Sequence, residues 1–171
     1  MKSLSEWLRW QEKLHPSAID LGLDRMRRTM ARLAWRTPKC PVITVGGTNG
    51  KGSTVALTSR ILAEAGYRVG TFTSPHLLRY NERIVLDGRE VSDESLVAAF
   101  ERIDAARGED TLTFFEFNTL AALLIFDTAG VDAMVLEVGL GGRLDSVNAV
   151  DADVAIVTSI ALDHMDWLGP D

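Results

Sequence analysis

Cysteine is almost absent from this 171-residue sequence. Cys40 stands alone, so no disulfide can form within the chain, and a reducing compartment such as the cytoplasm fits. Lys39 and Pro41 flank it without a neighbouring base, which marks it as a bystander rather than a nucleophile. Histidine is scarce too. Three scattered residues lack the spacing of a zinc site, and nothing suggests a Ser-His-Asp arrangement. Long apolar runs are missing: the longest, Leu120 to Phe126, is far below the roughly 20 residues a membrane-spanning helix needs. Glu6, Arg9 and Glu12 interrupt any apolar stretch of the kind a signal peptide carries. A basic excess is also lacking. The 18 Lys and Arg residues against 24 Asp and Glu give a net charge of -6, which disfavours a nucleic-acid surface. One local exception, Arg25, Arg27, Arg28, Arg32 and Arg36, reads as the solvated face of a single helix. Nucleic-acid and membrane partners are therefore not expected.

What is present is the composition of a globular chain, 46% hydrophobic and 25% charged, in a length that suits roughly one domain. Neither an internal repeat nor a low-complexity tract stands out. Residues 3–14 carry Leu4, Trp7, Leu8, Gln11 and Leu14 at helical spacing, and His15-Pro16 ends that helix. A second helix is predicted over 22–35, stopped by Thr37-Pro38. The character then changes. Val42 to Val45 is a buried-strand signal, followed by a glycine-rich turn and a helix that closes at Gly66. Further strands are predicted at 68–72, 83–86 with an Asp87-Gly88 turn, 131–138 and 153–160. Helices are predicted from a Ser92 cap to about Arg107 and over 116–129, closed by Gly130. Alternating strands and helices with continuous apolar strands predict an α/β fold, a parallel sheet flanked by helices.

The turn Gly46-Gly47-Thr48-Asn49-Gly50-Lys51-Gly52-Ser53-Thr54 joins a strand to a helix. That arrangement suits a nucleotide phosphate. Glycines admit positive φ and close backbone approach, successive N–H groups point inward, and the helix N-terminus adds partial positive charge. Lys51 can reach the β- and γ-phosphates, and Ser53 or Thr54 can offer a hydroxyl. The spacing departs from G-x-x-x-x-G-K-[ST], because Val45 stands where that pattern has its first glycine. The bland alternative is a glycine turn with an ordinary surface lysine.

Three more residues bear on chemistry. Glu137 lies in an apolar strand, where a buried carboxylate is costly unless paired or metal-bound; the alternative is a strand end that already reaches solvent. Ser74 follows the 68–72 strand. His164 follows the 153–160 strand, and its alternative is an exposed loop histidine. All three fall near C-terminal strand ends, the edge where open α/β sheets bind ligands. Hard oxygen donors suit Mg²⁺, and histidine is its less usual ligand. Asp163 and Asp166 rank below these three. Elsewhere, Phe114, Phe115 and Phe117 can be core residues opening a helix.

The segments Ile19 to Leu23, Gly47 to Ser53, Thr73 to Leu77, Phe115 to Phe117, Glu137 to Asp145 and Leu162 to His164 occur in one order across nearly the whole chain. In that set the sequence resembles the folate branch of the Mur-type ATP-dependent amide ligases. The resemblance implies a Mur-ligase central domain of P-loop NTPase type. It implies ATP binding at Thr48, Asn49, Gly50, Lys51, Gly52 and Ser53, with Lys51 catalytic. It implies Mg²⁺ ligation by Ser74, Glu137 and His164. Dihydropteroate binding is implied at Ala18, Ile19, Asp20 and Leu21, at Thr113, Phe114, Phe115 and Glu116, and at Leu144, Asp145 and Ser146. The implied reaction adds L-glutamate to dihydropteroate and to reduced folates through an acyl phosphate, in a cytoplasmic monomer. Residues 1–40 would be a helical segment with the pterin loop and residues 41–171 an incomplete ATPase domain. A carbamylated lysine and a C-terminal glutamate-binding Rossmann-like domain have no counterpart here, so a truncated chain with an incomplete sheet is expected. A nucleotide-binding module without turnover is one alternative, and another P-loop phosphotransferase is a second. The segments at Asp20–Leu23 and Gly139–Asp145 argue against the latter.

Overall fold

The computed structural model describes residues 2–170, so the outermost positions of the two expected segments, Met1 and Asp171, lie outside it. Two short helices open the chain, α1 (Leu4–Gln11) and α2 (Asp24–Arg32). Then come β1 (Val42–Gly46), α3 (Lys51–Glu64), β2 (Val69–Phe72), β3 (Ile84–Leu86), β4 (Arg89–Glu90), α4 (Asp93–Arg107), α5 (Phe114–Ala129), β5 (Ala133–Glu137), β6 (Val154–Val157) and α6 (Met165–Leu168). Short 3-10 turns occupy Tyr80–Arg83 and Ser146–Ala149.

The six strands form one sheet in the order β4-β3-β2-β5-β1-β6. As predicted, β2, β5, β1 and β6 run parallel. The sequence reading did not foresee that the sheet continues as an antiparallel hairpin through β3 and β4. Its turn residues Asp87 and Gly88 both have positive φ, 50° and 74°, as a tight two-residue hairpin turn requires. The register sets Phe72 beside Leu136 and Val45 beside both Glu137 and Ile156. The ends of β1, β2, β5 and β6 therefore deliver four loops to the same sheet edge.

Side-chain caps fix the helix starts. Ser3 and Glu6 form a capping box on α1, and Thr113 and Glu116 form another on α5. The second box starts α5 at Phe114, two residues before the predicted start. Beneath the sheet, Trp7, Phe100 and Phe117 make one aromatic cluster that binds α1, α4 and α5 together. Phe126 is fully buried over β2, at Gly70, where an added Cβ would stand 2.6 Å from the ring. The β6 edge is open, with Val154 49% and Val157 68% exposed.

The arginine group is more than a solvated face. Arg28 and Arg32 both pair with Asp110, at 2.6 and 2.8 Å, and the Arg28 hydrogen bonds lead in holding that carboxyl down at about 2. Arg25 turns inward and bonds Asp20 and Glu116.

Candidate active site

β1 runs into a turn in which Gly47 has φ 131° and Gly50 has φ 87°, backbone that side-chain-bearing residues rarely adopt. A Cβ at Gly47 would stand 2.0 Å from Thr158 Oγ1, so the backbone there approaches the β6 end closely. Gly50 caps α3 without a side-chain bond, leaving the helix N-terminus facing the turn. Lys51 folds back over the turn, and its Nζ donates to Gly47 O at 2.7 Å and Thr48 O at 3.2 Å. Thr54 Oγ1 donates to Gly50 O at 2.9 Å. That bond commits Thr54 to the helix and leaves Ser53 as the free hydroxyl of the pair. The turn is tied to the segment after β6: Thr48 N donates to Ser159 O at 2.8 Å and Thr48 Oγ1 to Ala161 O at 3.0 Å. Thr48, Asn49, Gly50, Lys51, Gly52 and Ser53 thus make one continuous loop and helix start. The sequence reading missed Thr158, Ser159 and Ala161 as its supports, because only the sheet order brings them beside it.

Glu137 ends β5 at 4% exposure. Its Oε2 accepts the Ser74 N–H at 3.0 Å, while its Oε1 lies 3.8 Å from where a Gly52 Cβ would be. Burial pushes the carboxyl above its ordinary value, against the Ser74 N–H and the charge of Lys51. Ser74 and Glu137 are therefore together, at the start of α3. His164 is not joined to either by a hydrogen bond. It is exposed, in left-handed backbone at φ 49°, with Nε2 3.7 Å from Asp163. It does line a cavity of about 150 Å³ with Gly47, Thr48, Lys51, Gly139, Leu140 and Asp163. A buried carboxylate and a serine beside a phosphate loop fit a hard cation that keeps several waters and takes phosphate oxygens.

A second cavity, of about 280 Å³, gathers Ala18, Ile19, Asp20, Leu21, Thr113, Phe114, Phe115, Glu116, Leu144, Asp145 and Ser146. Every residue named for the ring substrate lines this one space. Gly22, Ser74, Pro75, Arg83, Gly139 and Leu140 complete it. Gly139 and Leu140 line both cavities, so the two spaces share a wall. Gly139 cannot carry a side chain, since a Cβ would stand 2.5 Å from the Phe115 ring.

The three carboxylates in this cavity are already engaged. Glu116 accepts Arg25 Nε at 3.2 Å and Thr113 N at 2.8 Å. Asp20 accepts Arg25 Nη1 at 2.6 Å and remains the most exposed of them, its side chain 42% accessible. Asp145 is 2% exposed and accepts three backbone N–H groups, from Gly139, Leu140 and Val147 at 3.1, 2.9 and 3.0 Å. It braces the shared wall. Sequence reasoning missed two charged groups here: Arg83, which lines the cavity, and Arg25, which stands behind it on Asp20 and Glu116. Arg25 was hidden among the arginines of α2, and Arg83 was read as the first residue of a strand.

Burial, opposed by the three N–H groups, raises the Asp145 carboxyl to about 6. The folded chain then keeps a proton that the unfolded chain releases near 4, so stability falls as pH rises through that window. Asp145→Asn is expected to flatten a slope of order 2–3 kcal/mol between pH 4 and 6 in urea midpoints. It should also weaken the bracing at one end, because whichever way the amide turns, its NH₂ meets either the Gly139 and Leu140 N–H groups or that of Val147. An unchanged pH profile in the variant counts against this assignment.

Residues 45–170 match the Mur ligase middle domain family. The chain is 54% identical over 168 residues to the dihydrofolate synthase/folylpolyglutamate synthase of Escherichia coli strain K12, an alignment covering 98% of this chain and 40% of the relative. With the counterpart from Bacillus subtilis strain 168 it is 45% identical over 157 residues, 86% of this chain and 36% of the relative. The chain therefore spans about 40% of the length of such relatives. Among solved structures it is similar to E. coli FolC in complex with DHPP and ADP, with TM-score 0.97 and 54% identity, over 99% of this chain and 41% of that one. The Yersinia pestis bifunctional folylpolyglutamate synthase/dihydrofolate synthase complexed with AMPPNP and Mn ion gives TM-score 0.93 and 51% identity, over 100% and 42%. With its glycine-rich loop, sheet and both cavities inside or beside the matched residues, the chain belongs to the Mur ligase family.

Proposed function

We propose that this chain carries the nucleotide- and acid-binding part of an ATP-dependent ligase that joins L-glutamate to dihydropteroate and to reduced folates. The observation that supports this best is the shared wall: Gly139 and Leu140 separate a phosphate-loop cavity from one built for a flat ring. A carboxylate at the Ser74 end of the larger cavity would face a γ-phosphate held by Lys51. One carboxylate oxygen attacks the γ-phosphorus, ADP leaves, and an acyl phosphate forms. The glutamate amine then attacks the acyl carbon, loses a proton and expels inorganic phosphate.

In this reading Thr48 to Ser53 bind the phosphates through backbone N–H groups and the α3 N-terminus, and Lys51 neutralises charge as it moves to the leaving group. Ser74 and Glu137, with His164 reaching in from its loop, would hold Mg²⁺, which supplies charge neutralisation on the phosphates. Residues 18–21, 113–116 and 144–146 would hold the pterin. Residues 1–40 act as a helical segment presenting the first of these loops, and 41–171 as part of the ATPase domain. The assigned setting is a cytoplasmic monomer working on small molecules; no helix among the described residues is long and apolar enough to cross a membrane.

Isothermal titration with Mg²⁺-AMPPNP tests the reading. Saturable binding is expected, weakened about 100-fold or more by Lys51→Ala, which removes a charge-assisted contact to phosphate. Phosphate release on adding dihydropteroate and glutamate would establish turnover. Binding of both nucleotide and dihydropteroate without release fits a part of the ligase, binding of nucleotide alone supports a nucleotide-binding module instead, and a folded chain that binds no nucleotide overturns both.

A further inference from the structure

Arg83 stands in the wall of the larger cavity and is 8% exposed. A buried guanidinium ordinarily faces a carboxylate. This one does not. Its Nε donates to His76 Nδ1 at 2.8 Å. Its carbon lies 5.6 Å from the Phe114 ring centre and 6.0 Å from that of Tyr80. Among the described residues no acidic oxygen pairs with it, and neither terminal nitrogen has a hydrogen-bond partner. The nearest acid in the chain, Glu82, spends its carboxylate on the Leu77, Leu78 and Arg79 N–H groups. Burial keeps the Tyr80 phenol protonated, and its hydroxyl donates to Asn118 Oδ1. Burial also draws the guanidinium below its ordinary value, as expected where desolvation is not offset by a counter-ion.

Elsewhere in the cavity the charges are compensated. Arg25 pairs with Asp20 and Glu116, and three backbone N–H groups face Asp145. Arg83 therefore gives the space an unmatched positive charge. It sits beside Pro75 and His76, on the loop whose Ser74 N–H binds Glu137. That is the side of the cavity next to the phosphate loop.

We propose that Arg83 is the recognition group for the carboxylate of the acid substrate, gripping it with the two terminal nitrogens of its fork while Phe114 supports the guanidinium plane. This rests on the ligase reading. In that reading Arg83 fixes the carboxylate that must meet the γ-phosphorus and selects an acid over a neutral analogue of the same shape.

The test titrates the 171-residue chain with pteroate and with pteroate carboxamide, which differ only in the charged group. The wild type should prefer the acid by about 10- to 100-fold, the range for a hydrogen-bonded charge partner. Arg83→Gln should remove that preference by weakening the acid alone, with carboxamide affinity held within about twofold. Each preference is a ratio measured on one preparation, so a smaller folded fraction cancels. If the glutamine variant does not fold, Arg83→Lys decides: it keeps the charge without the fork, and its preference should fall to a few-fold. Equal weakening of both ligands, or an undiminished preference, assigns Arg83 to packing and overturns the proposal. A wild type that binds both ligands equally also overturns it while leaving the ligase reading intact. A wild type that binds neither removes the ligase reading of this cavity and the proposal with it.

Discussion

Gly47→Ala should abolish nucleotide binding while leaving the chain folded. Two independent costs coincide at this residue. Its φ of 131° is open to glycine and strained for alanine. The new Cβ would also stand 2.0 Å from Thr158 Oγ1 and 3.1 Å from Thr158 Cβ and N. The turn must therefore move away from the end of β6, which breaks its ties to Ser159 and Ala161. Those ties aim the N–H groups, and a displacement of about 1 Å suffices to lose a preorganised site. The strain costs about 1–3 kcal/mol, well within the margin of a stable domain. Gly52→Ala, on the same loop, separates folding from strain: its Cβ would meet Glu137 carboxylate oxygens at 3.8 Å and beyond, an ordinary contact, so it should leave the urea midpoint nearly unchanged. Thr158→Ala in the Gly47→Ala background removes the Oγ1 overlap but neither the 3.1 Å approaches to Thr158 Cβ and N nor the φ, so it should restore little. Titration with Mg²⁺-AMPPNP, paired with urea unfolding, reads both effects. Gly47→Ala affinity within tenfold of wild type would refute the argument.

The largest loss of stability is expected at Phe126. It is fully buried, and its ring fills the space that β2 leaves open at Gly70. Truncation to alanine should cost about 3–5 kcal/mol, a large share of the 5–15 kcal/mol that holds a typical domain together. Gly70→Ala attacks the same contact from the other side. Its Cβ would meet ring atoms at 2.6, 2.7 and 3.0 Å, and forcing them apart should cost about 1–3 kcal/mol. The two substitutions should not add. Without the ring the extra methyl has room, so a double-mutant cycle in urea should return a coupling of at least about 1 kcal/mol. Strict additivity would show that the ring does not depend on the missing side chain.

Much of this architecture was legible in the residues. The apolar runs at 42–45 and 131–138 announced parallel strands, and the glycine-rich turn announced the tight, positive-φ passage from β1 into α3. Hairpin chemistry was readable in Asp87-Gly88, but a two-residue strand, Arg89–Glu90, carries too little pattern to reveal its partner. The Thr113-x-x-Glu116 capping box was also present as a local signal. It was passed over because both residues had been assigned to a substrate, although they serve first to start α5. Eleven residues from three segments proved to line one cavity, and that followed from their resemblance as a set, not from periodicity. What stayed hidden depends on tertiary proximity. Nothing local distinguishes Arg25 from Arg27, or marks Arg83 as lacking an acidic partner. The support given by Thr158 to Ala161 exists only because β6 lies beside β1.

The wall formed by Gly139 and Leu140 has a thermodynamic consequence. Asp145 holds both of their N–H groups, so a ligand pressing on this wall from either side would work against the same two hydrogen bonds. The occupants of the two cavities are then linked. Whatever factor the ring compound applies to the nucleotide's dissociation constant, the nucleotide applies to that of the ring compound. A single braced peptide segment would thus carry the coupling, and two ligands that bear on it would each act as an effector of the other.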